Sequence, residues 1–130
     1  MVCEDEPLLA ADFCDKLQAK GFYVVGPFGF QRDAIRALEL EPVDGVILDV
    51  ELADGASTRL AGLLQDGGIP FIVVSGLTTP APPPEFANVE WLLKPAEMSR
   101  VFAFCDGVVR LSHATPPSLR RPWGGSRPAP

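Results

Sequence analysis

The stretch VILDVELADG, residues 46–55, contains a short buried strand and an acid placed at its end. Val46–Leu48 is a run of consecutive apolar residues, which is typical of a strand covered on both faces of a parallel sheet. Asp49 follows directly, and a turn-rich stretch then leads to Gly55. An acid in this position can cap a turn, bind a metal ion or act as a nucleophile, and the remaining sequence has to distinguish these roles.

Apolar runs and turn signals alternate along the chain in the pattern of an α/β protein. Leu9, Phe13 and Leu17, for example, recur at the spacing of one helix face. Because right-handed crossovers are the rule, we expect a doubly wound parallel sheet of five strands with helices on both faces. The predicted strands cover residues 1–3, 22–26, 45–50, 69–76 and 89–93, and the predicted helices run from Pro7 up to Gly21 and over 31–40, 57–65 and 96–110.

The stretch LTTPAPPPEFAN, residues 77–88, lies where a fourth crossover helix would be expected. It contains Pro80, Pro82, Pro83 and Pro84, which lack a backbone N–H and have a fixed φ. A regular helix is disfavoured by this composition. We therefore expect the fourth helix to be irregular or missing, with a loop or a single turn in its place.

Composition favours one globular domain, since 47% of the residues are hydrophobic and 22% are charged. We assign residues 1–110 to this domain and the Pro-rich residues 111–130 to a disordered tail. Neither a membrane-spanning run nor a secretory signal is recognisable, so a cytoplasmic location is expected. The three cysteines are far apart and are expected to be buried, reduced thiols: Cys3, Cys14 and Cys105.

Charge is distributed unevenly between these two regions. Residues 1–110 contain 8 basic residues against 17 acidic ones, a net charge of −9. Residues 111–130 contain Arg120, Arg121 and Arg127 and no acid. Binding to a phosphate backbone needs clustered basic residues, so nucleic acid is not an expected partner, and neither is a membrane.

Polar side chains follow four of the five predicted strands, at the end where ligands bind in open α/β sheets. Glu4 and Asp5 follow the first strand, and Asp49 lies at the end of the third. Ser75 ends the fourth strand and Lys94 follows the fifth. We therefore expect three acids, one hydroxyl and one ammonium to converge on one edge of the sheet.

Three neighbouring carboxylates repel one another, by roughly 3 kcal/mol per pair at about 5 Å and an effective dielectric constant of 20. One lysine cannot neutralise three acids, so a hard divalent cation, Mg²⁺, is the expected ligand of Glu4, Asp5 and Asp49. A cation beside a carboxylate also suits phosphoryl transfer, in which carboxylates act as nucleophiles. Ser75 and Lys94 can bind phosphoryl oxygens, and Gly76 leaves space for the group.

At these residues the sequence resembles the receiver domain of two-component response regulators. Four motifs carry the resemblance, in the same order and each at a strand end: CEDEP at 3–7, ILDVEL at 47–52, VVSG at 73–76 and LLKP at 92–95. The resemblance covers residues 2 to about 110. It implies a flavodoxin-like sheet of order 2-1-3-4-5, with Asp49 as the phospho-acceptor and the backbone carbonyl of Glu51 as a further metal ligand. It also implies that Ser75, Trp91 and Pro95 form the switch, with a Lys94–Pro95 peptide bond that is commonly cis.

The stretch GIPFIVVSG, residues 68–76, is also similar to a subfamily of single-domain receivers whose fourth strand reads Pro-Phe-x-Phe-Ala-Thr-Gly. Pro70, Phe71 and Gly76 match that pattern, whereas Ser75 replaces its threonine. This subfamily tends to have an irregular fourth helix and histidine kinases of the HWE type as partners. The chain departs from the usual receiver pattern in its very short first strand and in Trp91, where Tyr or Phe is more usual.

The interpretation is a stand-alone response regulator that accepts a phosphoryl group from a histidine kinase on Asp49 and signals to an unknown downstream protein by contact. Apart from its own phosphorylation and dephosphorylation, it is not expected to be an enzyme. Three alternatives remain: a phosphate sink for a shared kinase, a non-phosphorylated interaction module with this fold, and a small haloacid-dehalogenase-type hydrolase. The last would need an aspartate where Glu51 stands. A homodimer is left open, and His113, the single histidine, lies in the tail and argues against a histidine phosphotransfer module.

Overall fold

The computed structural model describes residues 1–76 and 82–113. Its strands and helices alternate as the sequence pattern predicts. In chain order the elements are β1 Val2–Cys3, α1 Pro7–Ala19, α2 Gln31–Leu40, β2 Val46–Leu48, β3 Glu51–Leu52, β4 Gly55–Ala56, α3 Thr58–Gly67, β5 Phe71–Ser75, a 3₁₀ turn at Pro84–Phe86, β6 Trp91–Leu93 and α4 Met98–His113.

A four-stranded parallel sheet of order β1-β2-β5-β6 forms the centre of the domain. Its side chains alternate between two apolar layers, as the period of a strand requires. One layer packs with α2, α3 and the 3₁₀ turn around Leu48, Val73 and Phe86. The other packs with α1 and α4 around Ile72 and Val101. Burial on both faces explains why the strands are nearly continuous runs of Val, Ile and Leu.

The predicted second strand is wrong in its details, because residues 22–28 are extended without forming a regular strand. We call these residues the edge segment. Val2 donates its N–H to the Val25 carbonyl, Phe28 donates to Val2, and an isolated parallel bridge joins Cys3 to Phe28. Gly26 has a φ of 111° and Pro27 has no N–H, so the ladder cannot continue there. The edge segment still occupies the outer position beside β1, so the predicted doubly wound order 2-1-3-4-5 is confirmed.

The fourth crossover is irregular, as predicted. In the part of this crossover that the structure describes, a 3₁₀ turn at Pro84–Phe86 stands where a helix would otherwise lie, and Phe86 is buried against the sheet. Residues 77–81, with Pro80, fall outside the described residues.

The last helix, α4, continues to His113, three residues beyond the predicted end of the domain. The remainder of the predicted disordered tail, residues 114–130, lies outside the described residues. Within the described part of the chain, none of the helices has the length and apolar character needed to cross a lipid bilayer. Cys3 and Cys14 are buried free thiols as predicted, whereas Cys105 is only partly buried.

Candidate functional site

Glu4 and Asp49 are brought side by side by the pairing of β1 with β2. Cys3 lies opposite Leu48 in this parallel pair, and the Asp49 N–H donates to the Cys3 carbonyl at 3.0 Å. The next residue on each strand is therefore an acid. Both are buried, with Glu4 5% and Asp49 7% exposed, although carboxylates rarely become this buried without partners.

Asp5 completes an acidic cluster, which we define as Glu4, Asp5 and Asp49. One carboxylate oxygen from each residue lies within 4.8 Å of one from each of the others. Asp5 is exposed and closes the cluster on its solvent side. The convergence expected from the sequence is thus present for these three acids.

Lys94 lies directly beside the acidic cluster, immediately after β6. Its Nζ is 2.5 Å from Glu4 Oε1 and 2.6 Å from Asp49 Oδ2. Its backbone N–H donates to the Ser75 carbonyl at 2.9 Å, so the pairing of β5 with β6 fixes where the side chain starts. Desolvation alone would lower the pKa of Lys94, but hydrogen bonds and charge attraction from Asp49 and Glu4 outweigh it and raise the pKa. Lys94 is therefore a firmly protonated partner of both buried acids.

The residual charge of this site suits a divalent cation. Three carboxylates and one ammonium leave a formal charge of −2, and two of those carboxylates are buried. Oxygen ligands of this kind are preferred by Mg²⁺ and Ca²⁺. The acidic cluster therefore fits a bound dication by both its charge and its donor atoms.

Glu51, two residues after Asp49, has an exposed side chain in β3. Its backbone N–H donates to Asp49 Oδ1 at 3.3 Å. This hydrogen bond helps to orient the Asp49 carboxylate. That the carbonyl of Glu51 is a metal ligand stays a prediction.

Ser75 and Gly76 lie at the same carboxyl edge of the sheet as the acids, whereas Trp91 begins β6 and pairs with Val73, two residues before Ser75. Ser75 ends β5 and is 1% exposed. A Cβ added at Gly76 would meet no heavy atom of the described residues within 4 Å, so these residues leave space next to the serine. Trp91 is half-buried in β6 and packs edge-on against Phe86, with ring centroids 5.9 Å apart.

The Lys94–Pro95 peptide bond, whose state the sequence left open, is cis. The switch roles of Ser75, Trp91 and Pro95 stay predictions, since they concern a change between two states.

Sequence reasoning missed the role of Ser57. Its side chain is completely buried, and its Oγ donates to the Asp49 carbonyl at 2.7 Å, while its N–H donates to the Val50 carbonyl. These bonds hold the backbone of Asp49 against the start of α3. A serine just before a helix usually indicates an N-cap, but this one makes no capping bond, so its position alone could not have revealed the contact with Asp49.

Asp54 is a second residue whose role the sequence did not reveal. It lies in the tight connection between β3 and β4, and its carboxylate accepts from the backbone N–H groups of Gln31 at 2.8 Å and Arg32 at 3.2 Å. Desolvation would raise the pKa of Asp54, but these hydrogen bonds outweigh it and lower the pKa. Asp54 therefore caps α2 from a distant part of the chain and anchors the segment that follows Asp49.

Comparison with known proteins rests on structure. No protein-family model matches the chain, and no curated protein matches its sequence. A CheY-like receiver domain protein from Methanospirillum hungatei superposes with a TM-score of 0.75 at 16% identity, over 88% of this chain and 95% of that chain. A response regulator from Burkholderia pseudomallei, solved with a phosphorylated aspartic acid and a calcium ion, gives 0.70 at 18% identity, over 88% and 73% of the two chains.

The response regulator PhyR from Brucella abortus shares more sequence, with 28% identity and a TM-score of 0.69. The match covers 88% of this chain and 48% of PhyR, so this chain spans about half the length of that protein. These structural neighbours are response regulator receiver domains, or proteins that contain one, and they work in signalling. The predicted resemblance and the flavodoxin-like fold class are thereby confirmed.

Proposed function

We propose that this chain, which has the fold of response regulator receiver domains, is a single-domain response regulator that accepts a phosphoryl group from a histidine kinase on Asp49. One observation carries the proposal. The carboxylates of Glu4, Asp5 and Asp49 meet within 4.8 Å at the carboxyl ends of β1 and β2, and Lys94 contacts two of them. The chemistry is limited to phosphorylation and dephosphorylation of the chain itself.

Mg²⁺ would be held by the acidic cluster together with the backbone carbonyl of Glu51. A bound dication supplies charge neutralisation for an incoming phosphoryl group, which is the main requirement of phosphoryl transfer. Glu4 and Asp5 would bind the cation, and the Asp49 carboxylate lies beside them to accept the phosphoryl group. The Burkholderia pseudomallei neighbour, which contains a phosphorylated aspartic acid and a calcium ion, supports this arrangement.

In the transfer step, an Asp49 carboxylate oxygen forms a bond to phosphorus while the bond from phosphorus to the kinase histidine nitrogen breaks. The electron pair of that bond stays on the imidazole nitrogen, which leaves with the kinase. Asp49 Oδ2 is the oxygen that Lys94 now contacts, so the ammonium is already within reach of the oxygens of the new phosphoryl group. Ser75 ends β5 on the same edge, and its hydroxyl could donate a hydrogen bond to another phosphoryl oxygen.

Phosphorylation of Asp49 would change the surface that a downstream protein recognises. The group adds about −1.5 to −2 charge, which attracts Lys94 and the Ser75 hydroxyl. Pro95 follows Lys94 directly, and Trp91 begins the same strand, β6, where it contacts Phe86 of the irregular crossover. A change there would alter the surface around the 3₁₀ turn and α4, where a downstream protein would read it.

The proposed partners are therefore proteins in the cytoplasm: a histidine kinase, with the HWE type as the first candidates, and a downstream target. The 28% identity to PhyR, a response regulator, supports a protein partner. The net charge of −9 on residues 1–110 argues against nucleic acid and membrane partners. The complete set of acids, Ser75 and Lys94 favours phosphoryl acceptance over a non-phosphorylated interaction module.

Beryllofluoride, which mimics a phosphoryl group on aspartate, provides the test. A Trp123→Phe variant leaves Trp91 as the single tryptophan, so its fluorescence reports on the site alone. We expect a Mg²⁺-dependent change in emission that is lost in Asp49→Asn and retained in Asp66→Asn, which alters an exposed acid on α3. An Asp49→Asn variant that responds like its parent would refute the proposal.

A further inference from the structure

A cavity of about 340 Å³ lies at the amino end of the sheet, opposite the acidic cluster. Its walls include residues 21–25 around the start of the edge segment, residues 42–45 before β2 and one side of α4, and β1 and β2 contribute Val2 and Ile47. Its volume is at the lower end of the roughly 300–1,000 Å³ range of ligand pockets. We call it the basal cavity.

Most residues that line the basal cavity are apolar, although polar atoms supply nearly half of its lining surface. Phe22 and Val43 are only half-buried, as is Phe104 from α4. Apolar surface left in contact with water costs about 25 cal/mol per Å² relative to burial. The basal cavity therefore favours an amphipathic occupant, such as one aromatic side chain that also carries a polar group.

The chain's own C-terminal segment, residues 114–130, starts close to the basal cavity. Val108 and Val109 of α4 line the cavity, and α4 ends only one turn later at His113. The ten residues from there to Trp123 can span up to about 33 Å when extended, which is ample for a return to the cavity. Trp123 is the one large aromatic residue of the segment, and a tryptophan gains more from burial than other side chains do.

Charge also favours this occupant. The C-terminal segment carries three arginines and no acid, whereas the domain carries a net charge of −9. Arg120 and Arg121 lie just before Trp123. Asp44 is an exposed acid in the cavity lining, and Asp106 is exposed next to the lining residue Cys105. Opposite charges at the rim and in the segment would attract, and salt would weaken that attraction.

We propose that Trp123 docks into the basal cavity of the same chain, with Arg120 and Arg121 held at its rim by Asp44. The docked segment packs over α4 and the edge segment, so it covers apolar surface that the described residues leave open. The competing occupants are a second copy of the chain and a small apolar ligand. The Cys105 alkylation experiment described next distinguishes them from docking within one chain.

The alkylation rate of the Cys105 thiol can report on this docking. Cys105 is a partly buried free thiol in the cavity lining, whereas Cys3 and Cys14 are buried. The rate of its alkylation by N-ethylmaleimide can be followed in the full chain by peptide mass spectrometry. If the segment is docked about four-fifths of the time, undocking it by Trp123→Ala should raise the Cys105 rate about fivefold.

Two variants control this measurement. Trp123→Phe keeps an aromatic ring and should retain most of the protection, while Ser126→Ala in the same segment should label at the wild-type rate.

Asp44→Lys tests the rim of the basal cavity and leaves the segment unchanged. It should raise the Cys105 alkylation rate about twofold, because a docked fraction near three-fifths replaces one near four-fifths.

Equal Cys105 alkylation rates in wild type and Trp123→Ala would overturn the proposal. A small ligand would then be the favoured occupant of the basal cavity. A protection that disappears on dilution would assign the docked segment to a second copy and would overturn docking within one chain. Both readouts are independent of phosphorylation, so they are separate from the test of the function proposed for Asp49.

Discussion

The two ends of the parallel sheet differ in what they bury: paired charges at the carboxyl end and incompletely packed apolar side chains at the amino end. At the carboxyl end, Glu4 and Asp49 are buried acids, each bound to Lys94 and to backbone groups. At the amino end, the same two strands border the basal cavity, where Val2 and Ile47 are among the apolar lining residues. One end concentrates charge in a tightly bonded network, and the other leaves apolar surface open.

This contrast indicates where each kind of interaction determines the structure. Buried charges have little freedom, because an unpaired carboxylate in the interior is very unfavourable and every partner must be placed accurately. Apolar surface tolerates incomplete packing at a smaller cost per unit of area. We therefore expect substitutions at the carboxyl end to have the larger effects on stability and to respond to Mg²⁺, and those in the apolar packing of the amino end to follow side-chain volume and not to respond to Mg²⁺.

Lys94→Met should have the largest effect on stability. It leaves Glu4 and Asp49 buried without their ammonium partner, and breaking a buried pair costs about 3–5 kcal/mol. The Lys94 side chain is 22% exposed, which places the expected loss near the lower end of that range, about 3 kcal/mol. Urea denaturation at pH 7 without metal measures the loss, and Mg²⁺ should recover part of it.

Arg100→Met is the matched control, since the pair between Arg100 and Glu90 is about half exposed and should contribute less than about 1 kcal/mol. Comparable losses in Lys94→Met and Arg100→Met would mean that the charge network at the carboxyl end is not a structural constraint.

The stabilisation by Lys94 should also depend on pH in one direction. The folded-state pKa of Lys94 is raised, so its contribution is fully present below the unfolded-state pKa of about 10.4 and is lost as pH rises through the folded-state value. The stability difference between wild type and Lys94→Met should therefore be constant from about pH 7 to 9 and shrink at higher pH. A difference that grows in alkali would contradict this assignment.

Gly45→Ala tests the amino end by volume. A Cβ at Gly45 would lie 2.9 Å from Val108 Cγ2 and 3.3 Å from a ring carbon of Phe104. Overpacking of this kind costs about 1–3 kcal/mol, measurable as a lower urea midpoint that Mg²⁺ does not restore. Gly107→Ala, one residue before Val108 in α4, meets no atom of the described residues within 4 Å and should instead stabilise the helix by about 0.5–1 kcal/mol. Two changes of the same sign would refute the close approach at Gly45.

Asp54→Ala should have the smallest effect, a loss of about 1 kcal/mol through the cap of α2. Because the folded-state pKa of Asp54 is lowered, this stabilisation is present above the unfolded-state value of about 3.9 and disappears as pH falls through the folded-state value. Thermal unfolding of both proteins at pH 7 and pH 3 measures it. Asp33→Ala, another acid near the start of α2, makes no described bond to those N–H groups and serves as the control.

Much of the fold could be predicted from the sequence, because strong apolar periodicity and turn residues coincide. The helix at Gln31–Leu40 begins and ends where predicted, and the described residues of the Pro-rich fourth crossover, from 82 onward, form one 3₁₀ turn and no regular helix. The edge segment was predicted as a strand from its apolar residues. Gly26 and Pro27 prevent that, and their backbone geometry overrides the propensity of the valines before them.

The acids and Lys94 could be placed together from the sequence, because parallel strands end at a common edge and each residue follows a strand directly. Ser57 and Asp54 could not, because their contacts depend on the short β3–β4 hairpin, which folds this segment back on itself. Contacts between a turn and a distant helix have no local sequence signal. The basal cavity likewise depends on how closely α4 approaches Gly45, which only the assembled fold determines.

The most direct test of the central claim is phosphotransfer from the histidine kinases of the same cell, each first autophosphorylated with radiolabelled ATP. The account predicts that at least one kinase transfers label to the wild-type chain only with Mg²⁺, that the label is released by hydroxylamine as an acyl phosphate is, and that Asp49→Asn receives none. Label on Asp49→Asn at the wild-type level, or no transfer to the wild-type chain from the complete set of kinases, would contradict it.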